Sequence, residues 1–447
     1  MIRLWQRLRL VWRKFERMVE FLAYGLFDSL VLFGVSRVPR NSKRVAVVNL
    51  KLLGDYFLWL PFGKGLVAQL QEQGDEVVFV GNAAWIALVE QHFPGCETVG
   101  VEWKRLIRDF RYRMRVLRGL RALGVSQVLH PSYPRDAIVE DAVVRAMGAP
   151  ALGFDAGFPD RPKLDMRISN RLYSRLLPPI PGVHQSVRGA GFLRAVGVAF
   201  AAIAPDLPRP DPAGGLRGQR YVLLVPGGSR GFKLWPWEKT AEIARRTLNR
   251  DPGLLCVMAG TPAEQALCRR IADALPEGRC LDLAGKTDPA GFVALVAHAR
   301  WVLGNDSAAG HVAVVYGVPS VVVLGGGNFG RCYPYPASAP VKRRPVCVWK
   351  NMPCFGCDWV CRYRTSPDRA YPCIERIDVE AVWGAVVRVM DGAIPKAPVA
   401  DDRGGGSGVL FSGPPAPGDA PALAKRAQGN DAPIAKGPQE GPHREGE

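Results

Sequence analysis

Three short stretches set side chains suited to acid–base and phosphate chemistry just beyond apolar runs. VLGNDSAAGH (302–311) presents Asn305, Asp306 and Ser307, then His311 one turn later. VPGGSRGFKLWP (225–236) carries Gly227, Gly228, Ser229, Arg230 and Lys233, and NLKLLGDYFLWLP (49–61) carries Gly54 and Asp55. Backbone N–H groups from Asn305 to Gly310, at a helix start, suit a phosphate or diphosphate, and Ser307 can donate to the same oxygens. Asp306 would repel that anion, so it fits better as a partner of Lys233 or of a substrate hydroxyl. Gly227 and Gly228 let a ligand approach the backbone, while Ser229, Arg230 and Lys233 can address phosphate oxygens. The spacing is not that of a P-loop, since GxxxxGK[ST] is absent. Asp55 fits two roles, a helix cap or a general base within reach of a substrate proton. Residue types alone leave the same choice elsewhere: Asp306 as a cap, His311 as a satisfied core histidine, Lys233 as a loop cation.

The positions of these stretches follow from the elements around them. RVAVVNL (44–50), DEVVFVG (75–81) and VSQVLHP (125–131) read as buried strands, as do YVLLVPG (221–227), GLLCVMAG (253–260), ARWVLGN (299–305) and SVVVLGG (320–326). Between them lie helical patterns such as 236–250 and 263–275. Strand–helix alternation predicts α/β architecture with two parallel sheets covered on both faces, and ligands in such sheets sit beyond the carboxyl ends of the strands. The segment 178–210 holds one helix between proline-rich turns and predicts the connection between the halves.

The two ends differ from this core. MIRLWQRLRLVWRKFERMVE is a basic amphipathic pattern, followed by an apolar run that Asp28 interrupts; it predicts a helix lying on an anionic membrane surface rather than spanning the bilayer, with packing on the neighbouring domain as the other reading. No cleavage site of a secretory signal follows it. From Ala393 onward, Pro, Gly and charge dominate, which predicts a disordered tail. The formal charge is +18, and it is concentrated: residues 1–44 hold ten basic and three acidic positions, and 104–121 eight and one. No nucleic-acid-binding motif accompanies these patches, so an anionic lipid surface or a phosphorylated acceptor is expected in place of nucleic acid. A solvated helix face is an equal reading for 104–121.

The ordered set LLGDYFLWLP, PGGSRGFKLWP and GNDSAAGHVAVVYGVPSVVVLGG, with HQSVRGAGFLRAVGV between the halves, resembles glycosyltransferase family 9, the lipopolysaccharide heptosyltransferases, over roughly residues 44–391. The resemblance implies a GT-B fold, two Rossmann-like domains facing a cleft, and a metal-independent, inverting transfer from a nucleotide sugar. It implies ADP-heptose as the default donor and a lipopolysaccharide core or related lipid-linked glycan as the acceptor, at the inner face of the cytoplasmic membrane. By the same resemblance Asp55 is the general base and Lys233 neutralises the leaving diphosphate. Gly228, Ser229, Arg230, Asp306, Ser307, Gly310 and His311 fall at donor-binding positions. One departure is GGGNFGRCYPYP (325–336), where many members carry a Gly-Pro-Thr-Asp-Pro-like segment.

The expected organisation is a helical extension (1–40), an acceptor domain (41–180), a linker (181–210), a nucleotide-sugar domain (211–392) and a tail (393–447). Cys354, Cys357, Cys361 and Cys373, spaced CxxCxxxCx11C, suit a structural zinc or an iron–sulfur cluster, or stand as free thiols. No cofactor is expected for catalysis. Two other function classes fit parts of the pattern: a sugar-nucleotide epimerase of the same architecture, and a zinc-containing nucleic-acid binder.

Overall fold

A computed structural model describes residues 2–35, 39–155, 157, 163–199, 204–363, 369–392 and 407–411. Six parallel strands form the first sheet: β1 (Asn41–Asn49), β2 (Glu76–Asn82), β3 (Glu97–Val101), β4 (Val125–His130), β5 (Ala151–Phe154) and β6 (Arg175–Leu177), in the order β3-β2-β1-β4-β5-β6. The second sheet contains β7 (Tyr221–Val225), β8 (Leu255–Met258), β9 (Cys280–Asp282), β10 (Val302–Asn305), β11 (Ser320–Val323) and β12 (Val346–Lys350), ordered β12-β11-β10-β7-β8-β9 and again parallel. Counted from its own first strand, each sheet has the same doubly wound order. In both, therefore, the order reverses beside the first strand, between β1 and β4 and between β7 and β10, and a crevice opens there. The strands are continuous apolar runs because both faces are covered; Ala46, Val47 and Val48, and Val222, Leu223 and Leu224, are fully buried.

Within the segment expected to be a disordered tail, Ser407–Phe411 forms a further strand, β13, antiparallel on β12; the rest of 393–447 lies outside the described residues. Helix Gln185–Ala195 falls in the expected linker and packs on helix Leu53–Glu72, where Gly189 leaves room for the ring of Phe62. One apolar cluster runs from Val45 and Phe57 of the first half to Val312 and Tyr316 of the second, so the two sheets share a core at their junction.

The basic amphipathic pattern and the apolar run after it form a single helix, Ile2–Phe33. Asp28 is where this helix is fixed to the first domain: its two oxygens accept from Nε and Nη2 of Arg113 at 2.6 Å, and Arg145 approaches to 2.9 Å. Among the described residues no helix is long and apolar enough to cross a membrane.

Candidate active site

Both switch-point crevices receive the side chains singled out in the sequence, and one close contact brings the two crevices together. Gly54, in the first turn of helix Leu53–Glu72, lies against the first turn of helix Ala308–Tyr316. A Cβ placed on Gly54 would stand 3.2 Å from the Cα of Ala308 and 3.2 Å from Cδ2 of His311. Any side chain at this position would require the two helix starts to give by a few tenths of an ångström. Their N-termini carry Asp55 on one side and Asp306 and Ser307 on the other, so three groups from distant parts of the sequence meet at one junction.

The N-cap position of helix Leu53–Glu72 is Leu52, and Asp55 stands inside the first turn. It lines a cleft with Asn49, Lys51, Ser132, Tyr133 and Arg188, between the β1 and β4 ends and the linker helix. Burial raises its pKa above the ordinary carboxylate value, with Lys51 and Arg331 opposing the rise and Asp306 adding to it. Asp306 is raised in the same way by burial, against the pull of Lys233, Arg331 and a hydrogen bond from Asn328. Among the described residues, Oδ2 of Asp306 and Oγ of Ser307 are buried without a hydrogen-bond partner. Ser307 stands at the N-cap of its helix without making a side-chain cap. Buried polar atoms are rarely left unpaired, and these two are the atoms a bound polar ligand would satisfy.

The glycine turn after β7 is held by Asn305, which accepts from the Trp235 N–H and donates to the Pro226 carbonyl at 2.6 Å. Lys233 ends a short 3-10 turn, Gly231–Lys233, with Nζ over the Trp359 ring at 4.4 Å and its charge felt by Asp306. Ser229 and Arg230 are exposed on the outside of the turn. The Gly228 N–H donates to Glu264 at 2.7 Å, and the Glu264 carboxylate fills the space beside Gly227. The backbone N–H of Gly228, a position expected to face the nucleotide-sugar donor, is therefore engaged by a carboxylate.

His311 does not face open space. It stacks on Tyr333 at 4.3 Å and bonds through Nδ1 to the Tyr335 hydroxyl at 2.6 Å; burial, with the charge of His184, lowers its pKa to about 3. The ring is thus neutral and fixed beneath the Gly54 contact. Gly310 leaves room for the Tyr333 hydroxyl, which a Cβ would meet at 2.4 Å.

The four cysteines expected to bind metal are free, and among the described residues no group of three or more His, Cys, Asp or Glu is placed to hold an ion. The residues between these thiols set how the loop packs. Residues interleaved with the thiols turn inward: Phe355 presses on Gly326, and Trp359 on Gly325 and Gly327. Burial raises the Cys357 and Cys373 pKa values, with the other thiols adding to the rise. The cysteine loop is a wall of the site, since it supplies the Trp359 ring beneath Lys233.

Sequence reasoning missed Arg331 and Glu264. Arg331 acts on both Asp55 and Asp306, and its Nε is buried without a partner among the described residues. It lies in the departing loop GGGNFGRCYPYP, which was the available signal. Glu264 follows β8 in a Thr261–Glu264 capping box, a pattern that reads as purely structural.

Two doubly wound domains opposed across a cleft, each presenting polar groups at its switch point, define the GT-B class. Residues 110–358, more than half of the chain, match the model of glycosyltransferase family 9 (heptosyltransferase), and the chain belongs to that family. It is 30% identical over 115 residues to lipooligosaccharide heptosyltransferase 2 of Haemophilus influenzae, an alignment covering 25% of this chain and 33% of that protein. It is 26% identical over 159 residues to lipopolysaccharide heptosyltransferase 3 of Escherichia coli, covering 33% and 46%. These alignments thus span less than half the length of either relative. The fold is similar to that of E. coli ADP-heptose lps heptosyltransferase II, with TM-score 0.56, 16% identity and coverage of 78% of this chain and 99% of that one. It is also similar to a family 9 glycosyltransferase from Veillonella parvula, with TM-score 0.54, 17% identity and coverage of 70% and 87%.

Proposed function

We propose that this protein transfers a sugar, by default heptose from ADP-heptose, to a hydroxyl of a phosphorylated, lipid-linked glycan of the lipopolysaccharide-core type, with inversion at the anomeric carbon. The observation that carries this reading is the Gly54 contact, which sets Asp55 opposite the unpaired oxygens of Asp306 and Ser307 across two helix N-termini. Asp55 takes the proton of the acceptor hydroxyl, and burial makes it a stronger base than an exposed carboxylate. The acceptor oxygen bonds to the anomeric carbon as the bond from that carbon to the diphosphate oxygen breaks. The departing diphosphate carries away the electron pair, and Lys233 and the N–H groups at Ser307–Gly310 stabilise its charge. Asp306 orients Lys233 or a sugar hydroxyl, with Ser229 and Arg230 at the rim for the nucleotide phosphates. His311 supports the junction from below. No step requires a metal or cofactor. The heptosyl part rests on the names of the relatives, and the general transfer on the site.

A binding screen of the full chain against ADP-heptose and other nucleotide sugars tests this. Binding that is lost in Lys233→Ala, and that persists in Asp55→Asn while turnover with acceptor is lost, is the expected result. Well-folded protein that binds no nucleotide sugar overturns the proposal, and donor conversion without any acceptor transfers the site to epimerase chemistry.

A further inference from the structure

Helix Ile2–Phe33 is docked on one side and bare on the other. Tyr24, Phe27, Asp28 and Val31 face the first domain, where Tyr24 also donates to the Ile107 carbonyl at 2.5 Å. Phe15, Val19, Leu22, Leu26, Leu30 and Phe33 are exposed, from 49% at Val19 to 92% at Phe33. At about 100° per residue these six fall within an arc of about 80°, opposite the docked side and about 27 Å long. Helix surfaces in water normally put charge there, not six large apolar side chains.

The surroundings of this stripe indicate what covers it. Phe110, itself 53% exposed, rests on Tyr24 and Phe27 with ring centroids at 5.8 and 4.9 Å, so helix Phe110–Ala122 lies alongside. That helix turns Arg111, Arg115 and Arg118 to solvent, and Arg108 precedes it. On the other flank, Ile168 lines a groove with Leu22 and Leu26, and Arg167 and Arg171 beside it are exposed. The two basic segments of the sequence, read separately as a membrane helix and as a helix of undecided role, are therefore one apolar ridge with cationic shoulders.

We propose that this composite face, the outer stripe of helix Ile2–Phe33 flanked by the basic surface of 104–118, docks the protein on an anionic lipid bilayer. Charge complementarity selects this occupant. A second copy of the chain would bring cationic shoulders against an equally cationic surface, whereas anionic headgroups neutralise them while acyl chains accept the ridge. The helix lies in the plane of the headgroups, as no described helix can cross the bilayer.

Deleting the helix is a poor test, because it would strip Asp28 from buried Arg113. Point variants on the exposed face avoid this. The full chain is sedimented with vesicles of phosphatidylcholine, pure or with a third phosphatidylglycerol. Leu22→Glu with Leu26→Glu should weaken binding to the anionic vesicles by at least about tenfold, with an unchanged melting temperature. Arg111→Gln, Arg115→Gln and Arg118→Gln together should weaken it on the order of tenfold or more, and added salt should reproduce that loss in the wild type. Equal, weak pelleting of the wild type with neutral and anionic vesicles overturns the proposal, as does wild-type pelleting by the two leucine substitutions. A wild-type dimer that those substitutions make monomeric, without vesicle binding, assigns the face to self-association and equally overturns it.

Discussion

Replacing Asp28 tests whether the N-terminal helix is an integral part of the first domain. Its carboxylate is 2% exposed and the Arg113 guanidinium 0%. Arg113 also donates to the carbonyls of Leu106 at 3.1 Å and Ile138 at 3.0 Å, and packs over Tyr24 at 4.6 Å. In Asp28→Ala the guanidinium keeps those carbonyls and loses its counter-charge in a site water does not reach. Leaving a buried charge unpaired in this way costs about 3–5 kcal/mol. Arg113→Met is expected to cost less, because Asp28 keeps Arg145 at 2.9 Å, whose side chain is 25% exposed. The pair Asp28→Leu with Arg113→Met removes both charges and should recover to within about 2 kcal/mol of wild type, well short of the sum of the singles. Urea unfolding followed by circular dichroism, with limited proteolysis near residue 34, measures these differences. An Asp28→Ala cost below about 1 kcal/mol, typical of an exposed pair, would refute the docking of the helix, and so would strictly additive singles.

Three further outcomes follow from the junction. Gly54→Ala should gain helix propensity of about 1 kcal/mol yet push the helix starts apart by a few tenths of an ångström. Transfer should then fall roughly 10- to 100-fold with donor binding and melting temperature little changed, and wild-type turnover would refute the role given to the contact. Arg331→Met removes a cation that opposes the raised pKa of Asp55, so the acidic limb of the kcat/KM profile should move to higher pH; a lower rate with an unmoved limb would make Arg331 structural. Burial lowers His92 and His184 to about 4 and His311 to about 3, so the fold refuses protons that the unfolded chain accepts near pH 6.5. Stability is full above that pH and declines as pH falls towards 4, by up to about 1.4 kcal/mol per pH unit for each histidine. The raised carboxyls Asp55 and Asp306 work in the opposite sense and offset part of the loss. Thermal melts across this range measure it, and a flat profile would refute the buried neutral rings.

The central strands were readable because each is a continuous apolar run, the mark of burial on both faces. What escaped was short or marginal: β3 is half-exposed, β5 has four residues, and β6 and β9 have three each. Strand β12 is apolar up to its last residue, Lys350, but sits in RRPVCVWKNMPC, where prolines and cysteines interrupt the strand pattern. At the site, strand-end motifs located Asp55, Lys233, Asp306 and Ser307, since a parallel sheet fixes where its strand ends go. Spacing could not reveal that the Gly228 N–H is taken by Glu264, or that two tyrosines from a later loop hold His311. Those are tertiary contacts between segments with no periodic relation.

The loop 325–336 shows how one departure in sequence can have a single packing cause. Gly325, Gly326 and Gly327 look like a flexible phosphate loop. Yet a Cβ on each would lie within 2.3–2.7 Å of Ile374, Phe355 or Trp359. The glycines are there because the cysteine loop presses on them, and that pressure holds Trp359 under Lys233. The same loop then carries Arg331 to a point where it acts on both carboxylates, and Tyr333 and Tyr335 to His311. Gly327→Ala, distant from Asp55 in sequence, should therefore weaken donor binding and leave acceptor binding unchanged. The opposite pattern would mean that the loop serves the acceptor side of the cleft.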